Sequence, residues 1–143
     1  MKKIFTSNII IIKDNKYLLQ LRNGSKAKIK ENNKWGLFGG HCKPSEKSRE
    51  CVCRELKEET NLEIQKPKFE FYIFVKKYHA KVSIFSKKIK KMENFKLNEG
   101  ANYGFFSKQD ILNINKSNKK KLEVSNITRK IFKTFFLKKN PNR

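Results

Sequence analysis

Apolar and polar positions follow two different periods along this chain. From Ile4 to Lys13 the apolar residues are dense, with four successive isoleucines at Ile9 to Ile12. A β-branched run of that length, bounded by polar residues, predicts a strand buried on both faces. Asp14-Asn15-Lys16 supplies a turn, and Tyr17 to Arg22 predicts the returning strand of a hairpin. Asn23 to Asn33 is mostly polar and reads as a loop, and Trp35 to Gly40 as a short strand. The period then changes. No Gly or Pro interrupts Lys47 to Thr60, where Val52 and Leu56 share a helical face. Ser45 or Ser48 is placed to cap that helix, and Asn61 stands where a helix often ends in a left-handed residue.

Phe69 to Val75 and Lys81 to Ser86 predict two further strands, joined near Tyr78-His79-Ala80. His79 reads as a solvated turn residue, and Trp35 as core packing. Phe95 to Phe106 reads as a loop entering a last strand. Ser107 and Asp110 resemble a capping box that opens a short helix through Ile111 and Leu112. Ser125 caps a C-terminal helix whose Ile127, Ile131, Phe132, Phe135 and Phe136 form an apolar stripe. That stripe is expected to cover the sheet rather than to lie on a membrane surface. This order of elements predicts an α/β fold, a mixed β-sheet between helices in an α/β/α sandwich.

With 143 residues the chain can bury one core but not two, so a single domain over 1–143 is expected. No apolar run reaches the length of a membrane span. Lys2-Lys3 before Ile4-Phe5 hints at a signal peptide. Thr6-Ser7-Asn8 breaks that run and no small-residue cleavage site follows, so a cytoplasmic protein is expected. Three cysteines, an odd number, do not suggest a disulfide framework. Cys51 and Cys53 point to different helix faces, which argues against a zinc site with His41 and Cys42, and Cys51 reads as a small filler.

Charge changes the picture twice. Lys and Arg number 35 against 13 acids, a net +22, with lysine runs at 87–91, 119–121 and 138–139. Such a surface attracts phosphate, and RNA stays open as a partner. The abundance of Lys, Asn and Ile also fits compositional drift in an AT-rich genome. No arginine cluster or aromatic-interleaved basic stripe is visible along the sequence. Against that background, six of the 13 acids crowd between Glu46 and Glu63. Glu55, Glu58 and Glu59 fall on one stripe beside Val52 and Leu56, at the border of the buried side. Carboxylates so close repel unless a cation neutralises them, and hard oxygen ligands suit Mg²⁺ or Mn²⁺.

The segment Gly40 to Leu62 resembles the Nudix box, Gly-x5-Glu-x7-Arg-Glu-apolar-x-Glu-Glu-x-Gly-apolar. Gly40, Glu46, Arg54, Glu55, Leu56, Glu58, Glu59 and Leu62 match, and Asn61 replaces the final Gly. The lead-in Trp35 to Gly40, WGLFGG, resembles the family's WxxPGG with Phe38 in place of Pro. The resemblance implies the same α/β/α fold. It also implies a Mg²⁺-dependent (or Mn²⁺-dependent) hydrolase of a nucleoside diphosphate linked to another group. Metal would be held by Glu55, Glu58, Glu59 and the Gly40 carbonyl, while Glu46 and Arg54 tie the loop to the helix. Relatives often supply a further acid from the loop before the last strand, where Glu99 is the nearest candidate.

The expected catalytic set is therefore Glu55, Glu58, Arg54 and Glu99, with Arg22 as a weaker candidate for a substrate phosphate. The expected substrate is a nucleoside triphosphate, a nucleotide sugar or a dinucleoside polyphosphate. Pyrophosphohydrolysis of an RNA 5′ end is the alternative within the enzyme class. A non-catalytic nucleotide- or nucleic-acid-binding module on the same fold is the alternative outside it. Neither the base nor the oligomeric state leaves a signal in the sequence.

Overall fold

The computed structural model describes residues 2–22, 34–98, 102–112 and 123–139. Strands β1 (Ile4–Lys13) and β2 (Lys16–Arg22) form a hairpin through Asp14 and Asn15, whose φ angles are 52° and 60°. Short polar side chains tolerate this left-handed region, and two such residues give a turn whose twist suits a hairpin. Strands β3 (Lys34–Gly36) and β4 (Phe38–His41) replace the one strand expected over Trp35 to Gly40. The chain breaks at Leu37 because its two halves serve different neighbours, β3 pairing with β2 and β4 with β1.

Helix α1 (Ser48–Thr60) comes next, followed by β5 (Lys68–Val75) and β6 (Ala80–Lys88), joined through a 3₁₀ turn at Lys76–Tyr78. Strand β7 (Asn102–Phe106), the short α2 (Lys108–Leu112) and α3 (Asn126–Lys139) complete the described chain. Ser107 and Asp110 make the reciprocal capping bonds read from the sequence. Ser125 Oγ accepts from the Thr128 N–H at the start of α3.

Among the described residues the strands form one mixed sheet in the order β3-β2-β1-β6-β5, with β4 also on β1 and β7 also on β2. The β1–β6 pair is parallel, from Ile4 opposite Ala80 to Ile12 opposite Lys88, and the other pairs are antiparallel. The isoleucine run is buried on both faces because it is central. Ile10 points into a core closed by Ile131, Phe132 and Phe135 of α3, and Ile9 and Ile11 into a second core with Val52 and Leu56 of α1. Helices thus cover opposite faces of the sheet, an α/β/α sandwich. Trp35 packs edge-on against Phe106, its centroid 4.8 Å away, beside the α3-side core.

One feature of β5 is invisible to strand periodicity. Its register against β6 shifts between Phe69 and Phe71, and Glu70 is turned inward at this bulge. There its carboxylate accepts from the Ser86 hydroxyl and lies 3.7 Å from both Lys138 and Lys139 at the end of α3.

The α3 side should be sensitive to ring loss. Phe132 is fully buried and meets Tyr17 edge-on at 5.4 Å and Phe136 at 5.7 Å. Phe132→Ala is expected to lower the unfolding free energy by about 3–5 kcal/mol, read by denaturant titration. A loss below about 1 kcal/mol would mean that α3 does not close this core.

Candidate active site

The carboxylate stripe is positioned by how α1 begins and ends. The expected serine cap is replaced by Glu50, whose carboxylate accepts from the Lys47 N–H at 3.0 Å. At the other end Asn61 takes the left-handed conformation (φ 62°) and its N–H donates to the Lys57 carbonyl at 2.8 Å. The last carbonyls of α1 are met from outside the helix. The Asn98 side-chain amide donates to the Glu58 carbonyl, its backbone N–H to that of Glu59, and the Lys96 N–H to that of Thr60. These bonds stop the final turn, which carries Glu58 and Glu59, from fraying.

Arg54 is the hub. Its Nε and one terminal nitrogen donate to the two Glu46 oxygens at 2.6 and 2.9 Å, and the second nitrogen also reaches the His41 carbonyl at 3.1 Å. The remaining nitrogen donates to Glu55 at 3.1 Å and to Glu58 at 3.2 Å. All five guanidinium hydrogens have acceptors, a pattern no lysine can reproduce. Arg54 therefore binds Glu46 on the loop before α1, and Glu50, also within its reach in sequence, is engaged at the cap instead. The hydrogen bond from Arg54 is the largest cause that holds the Glu46 carboxyl down at about 2. The same bond raises the Arg54 guanidinium above its ordinary value.

Glu59 sits in a different environment. Only 6 % exposed, its carboxylate accepts from the Gly39 N–H at 2.9 Å and from the Gln20 amide at 3.2 Å. Burial pushes its carboxyl up to about 7, against the lowering effect of those two donors. Gly39 has φ +146°, and a Cβ there would lie 2.1 Å from the Ser7 carbonyl oxygen. A Cβ on Gly40 would lie 2.5 Å from a Glu55 oxygen. The glycine pair thus lets the backbone press against both Glu55 and Glu59; at Gly39, where the Ser7 backbone stands in the way, no other residue fits without strain.

The donor set near α1 suits a hard divalent cation: three carboxylates and the Gly40 carbonyl, all oxygen. Glu59 adds a buried carboxylate met by neutral donors, the kind of charge that a cation compensates. Glu55 and Glu58 share the Arg54 guanidinium, and Glu58 is the most exposed of the three, with 58 % of its side chain accessible. Among the described residues, the group with ligand atoms all within 4.8 Å is instead Cys42, Glu46 and Cys51. It is no metal centre, because Cys42 and Cys51 form a disulfide and Glu46 is occupied by Arg54 and the Lys43 N–H.

That disulfide corrects the reading of Cys51 as a filler. The chain after β4 folds back along α1 and brings the two Cα atoms to 5.2 Å, so one bond ties the glycine loop to the helix. Cys53, on another face, is free.

A cavity of about 290 Å³ opens on the α3 side of the same loop, lined among others by Thr6, Asn8, Arg22, Gly39, Gly40 and Tyr78. Arg22 borders it while donating to the Leu37 carbonyl at 3.2 Å. The structure thus brings Gly40, Glu46, Arg54, Glu55, Glu58 and Glu59 together, with Arg22 at the rim of the adjoining cavity. Glu99 lies outside the described residues. Sequence reading missed Gln20, Asn98 and the Cys42–Cys51 bond. Gln20 had a signal, a polar residue between Leu19 and Leu21 in an otherwise apolar strand.

The chain matches the family model described as NUDIX domain over residues 4–124. Among solved structures it resembles the MutT protein from Methanosarcina mazei Go1, at TM-score 0.74 and 22% identity, covering 100% of this chain and 99% of that one. It is similar to the E. coli ORF135 protein at TM-score 0.75 and 18% identity, covering 99% and 94%. It is also similar to a C. elegans Ap4A hydrolase in a binary complex at TM-score 0.69 and 15% identity, covering 95% and 98%. At these identities the likeness is one of fold. No curated protein matches the chain.

Glu46 gives the site a pH signature. Its carboxyl is held at about 2 in the folded chain, against about 4.3 for an unperturbed glutamate. Its contribution is therefore complete above the unfolded value and lost as pH falls from about 4.3 towards 2. Thermal denaturation of wild type and Glu46→Gln should differ at pH 6 and converge near pH 2. A constant difference across that window would show that Arg54 does not hold this carboxylate.

Proposed function

The chain belongs to the NUDIX domain family, and from that premise we propose a divalent-metal-dependent pyrophosphohydrolase, folded as a single domain over 1–143. It cleaves a phosphoanhydride bond in a nucleoside diphosphate linked to another group: a nucleoside triphosphate, a nucleotide sugar or a dinucleoside polyphosphate. The observation that carries this reading is the arrangement on α1. Glu55 and Glu59 lie one turn apart against the glycine pair, and Glu58 is held beside them by Arg54, next to a cavity that Arg22 borders.

Glu55, Glu58, Glu59 and the Gly40 carbonyl are the groups that would hold Mg²⁺, or Mn²⁺ in its place. Bound there, the cation supplies charge compensation for the substrate's phosphates and acidifies water. The protein's own share is positioning and proton transfer. Glu58, tethered by Arg54 and open to solvent, is placed to take the proton of the attacking water, and Glu55 is the second carboxylate within the same guanidinium's reach. Glu99 keeps the alternative base role inferred from its place before the last strand. Arg54 sets the orientation of both α1 carboxylates and ties them to Glu46 on the loop.

Asn8 and Thr6 offer polar groups, and Val75, Val82 and Ile127 an apolar wall, in a cavity near the lower end of ligand-pocket sizes. That mixture suits the nucleoside part of the substrate, with its phosphates directed towards Gly39 and Gly40. The net charge of +22 draws anions towards the site, an effect that weakens with salt. No helix among the described residues is long and apolar enough to cross a membrane.

The test is Mg²⁺-dependent cleavage of nucleoside triphosphates, nucleotide sugars, dinucleoside polyphosphates and 5′-triphosphorylated RNA, read as the nucleotide and pyrophosphate or phosphorylated products separated by ion-exchange chromatography. At least one class should turn over with Mg²⁺ and not in chelator. Glu58→Gln and Glu59→Gln should each lose about 10²-fold or more in turnover while remaining folded. Wild-type turnover in both variants, or no cleavage of any substrate, would overturn the assignment.

A further inference from the structure

The basic stripe interleaved with aromatic residues, absent from the linear sequence, is assembled across three strands. In the parallel β1–β6 register Phe5 stands opposite Lys81, and in the antiparallel β5–β6 register Phe74 stands opposite the same Lys81. One row of the sheet therefore reads Phe5, Lys81, Phe74. The next reads Ser7, Ser83, Tyr72, and the third Ile9, Phe85, Phe69. Residues in one row project to one face, here the face on which α1 packs. The helix covers Ile9 and Phe85, and Ser7 donates to the Ser48 carbonyl at its first residue. Beyond that point the face is open.

Four aromatic rings remain on it about half accessible: Phe5 at 52 %, Phe69 at 40 %, Tyr72 at 51 % and Phe74 at 56 %. Tyr72 touches both neighbours on β5, with centroids 6.2 Å from Phe69 and 6.1 Å from Phe74. Two ammonium groups sit among them. Lys81 Nζ lies 4.0 Å from the Tyr72 centroid and Lys3 Nζ 5.1 Å from that of Phe74. β5 is the end strand of the sheet path. An edge carrying exposed rings is an aggregation hazard unless it has a partner.

Charge selects that partner. Across β1, β5 and β6 the only acidic residue is Glu70. The bulge turns it off this face and buries it beside Ser86, Lys138 and Lys139. What is left is aromatic and cationic. A second copy of a chain with net charge +22 would bring lysines against lysines here. Stacked bases on an anionic backbone fit both features, because every base has a flat face for a ring and every phosphate a charge for an ammonium.

We propose that the open face formed by Phe5, Phe69, Tyr72, Phe74, Lys3 and Lys81 binds single-stranded nucleic acid, with bases stacked on the β5 rings and phosphates on the lysines. The surface lies across the sheet from the cavity assigned to substrate, and it stands whether or not the chain is a hydrolase. Duplex is a poor ligand, since its bases are already stacked and a flat sheet cannot reach them.

The experiment is fluorescence anisotropy with labelled single-stranded RNA and DNA of about 12 nucleotides, a length within the usual site sizes, and with a duplex of the same sequence. Wild type should bind the single strands more tightly than the duplex, with affinity falling steeply with salt. The Tyr72→Ala/Phe74→Ala double variant should lose at least about tenfold in affinity, and Tyr72→Phe should retain it. Mg²⁺-dependent hydrolysis of a mononucleotide and thermal stability should be unchanged in the double variant, which separates lost contact from misfolding. Equal single-strand affinity in wild type and double variant would overturn the proposal, as would equal affinity for duplex. Sedimentation showing a wild-type dimer that Tyr72→Ala/Phe74→Ala dissociates, without any change in nucleic-acid affinity, would assign the face to a second copy instead.

Discussion

Carboxylates on neighbouring turns of one helix repel one another, and the repulsion grows as they leave bulk water. Here Glu55 and Glu59 meet the glycine loop and Glu59 is almost entirely buried, while Glu58 stands more exposed on the adjoining turn. The fold answers with one guanidinium. Arg54 spans Glu46, Glu55, Glu58 and the His41 carbonyl, so the charge that relieves the helix also fastens the loop. Remove it and two problems return together, uncompensated acids and an unanchored loop. Glu59 lies outside that arrangement. Its partners are an amide and a backbone N–H, which satisfy its hydrogen bonds without cancelling its charge. This difference within one helical turn is the physical basis for reading the site as a cation's seat.

The rest of the sheet follows from what that loop requires. Gly39 must approach the Ser7 backbone more closely than any Cβ allows while its N–H reaches Glu59, which fixes β4 against the first half of β1. The second half of β1 is thereby left to β2, and the break at Leu37 lets β3 leave with β2. The Cys42–Cys51 bond adds a covalent tie between the same loop and the same helix. One face of the sheet is closed by α3 around a cavity that Arg22 and Asn8 border. The other is closed by α1 only in part, and its open remainder carries the aromatic rings of β5. The proposed chemistry and the proposed nucleic-acid contact thus use opposite sides of one sheet.

Local pattern carried much of this architecture into the sequence. The isoleucine run, the turn at Asp14-Asn15, the uninterrupted helix ending at Asn61 and the apolar stripe of the last helix all act within a few residues, so their periods are legible. The spacing of Glu46, Arg54, Glu55, Glu58 and Glu59 was legible for the same reason. Contacts between distant strands were not. Gln20 meets Glu59 across 39 residues, and Asn98 meets the Glu58 carbonyl across 40. Cys42 and Cys51 meet only because a loop folds back on its helix. The bulge at Glu70 and the row Phe5, Lys81, Phe74 depend on strand register, which a single sequence does not write down. Glu50, three residues into the helix, reaches back to the N–H of Lys47 at the cap, the reciprocal half of a capping box, in place of a serine that would accept from an N–H of the first turn.

The central claim is that Glu55, Glu58 and Glu59 form a seat for a divalent cation in the protein without substrate. Electron paramagnetic resonance of Mn²⁺ measures it directly, by counting free and bound ion as wild-type protein and Glu59→Gln are titrated. The account predicts Mn²⁺ bound by wild type, displaced by Mg²⁺, and weakened at least about tenfold in the variant, with circular dichroism unchanged. Equal Mn²⁺ affinity in the two proteins, or none in wild type, would contradict it.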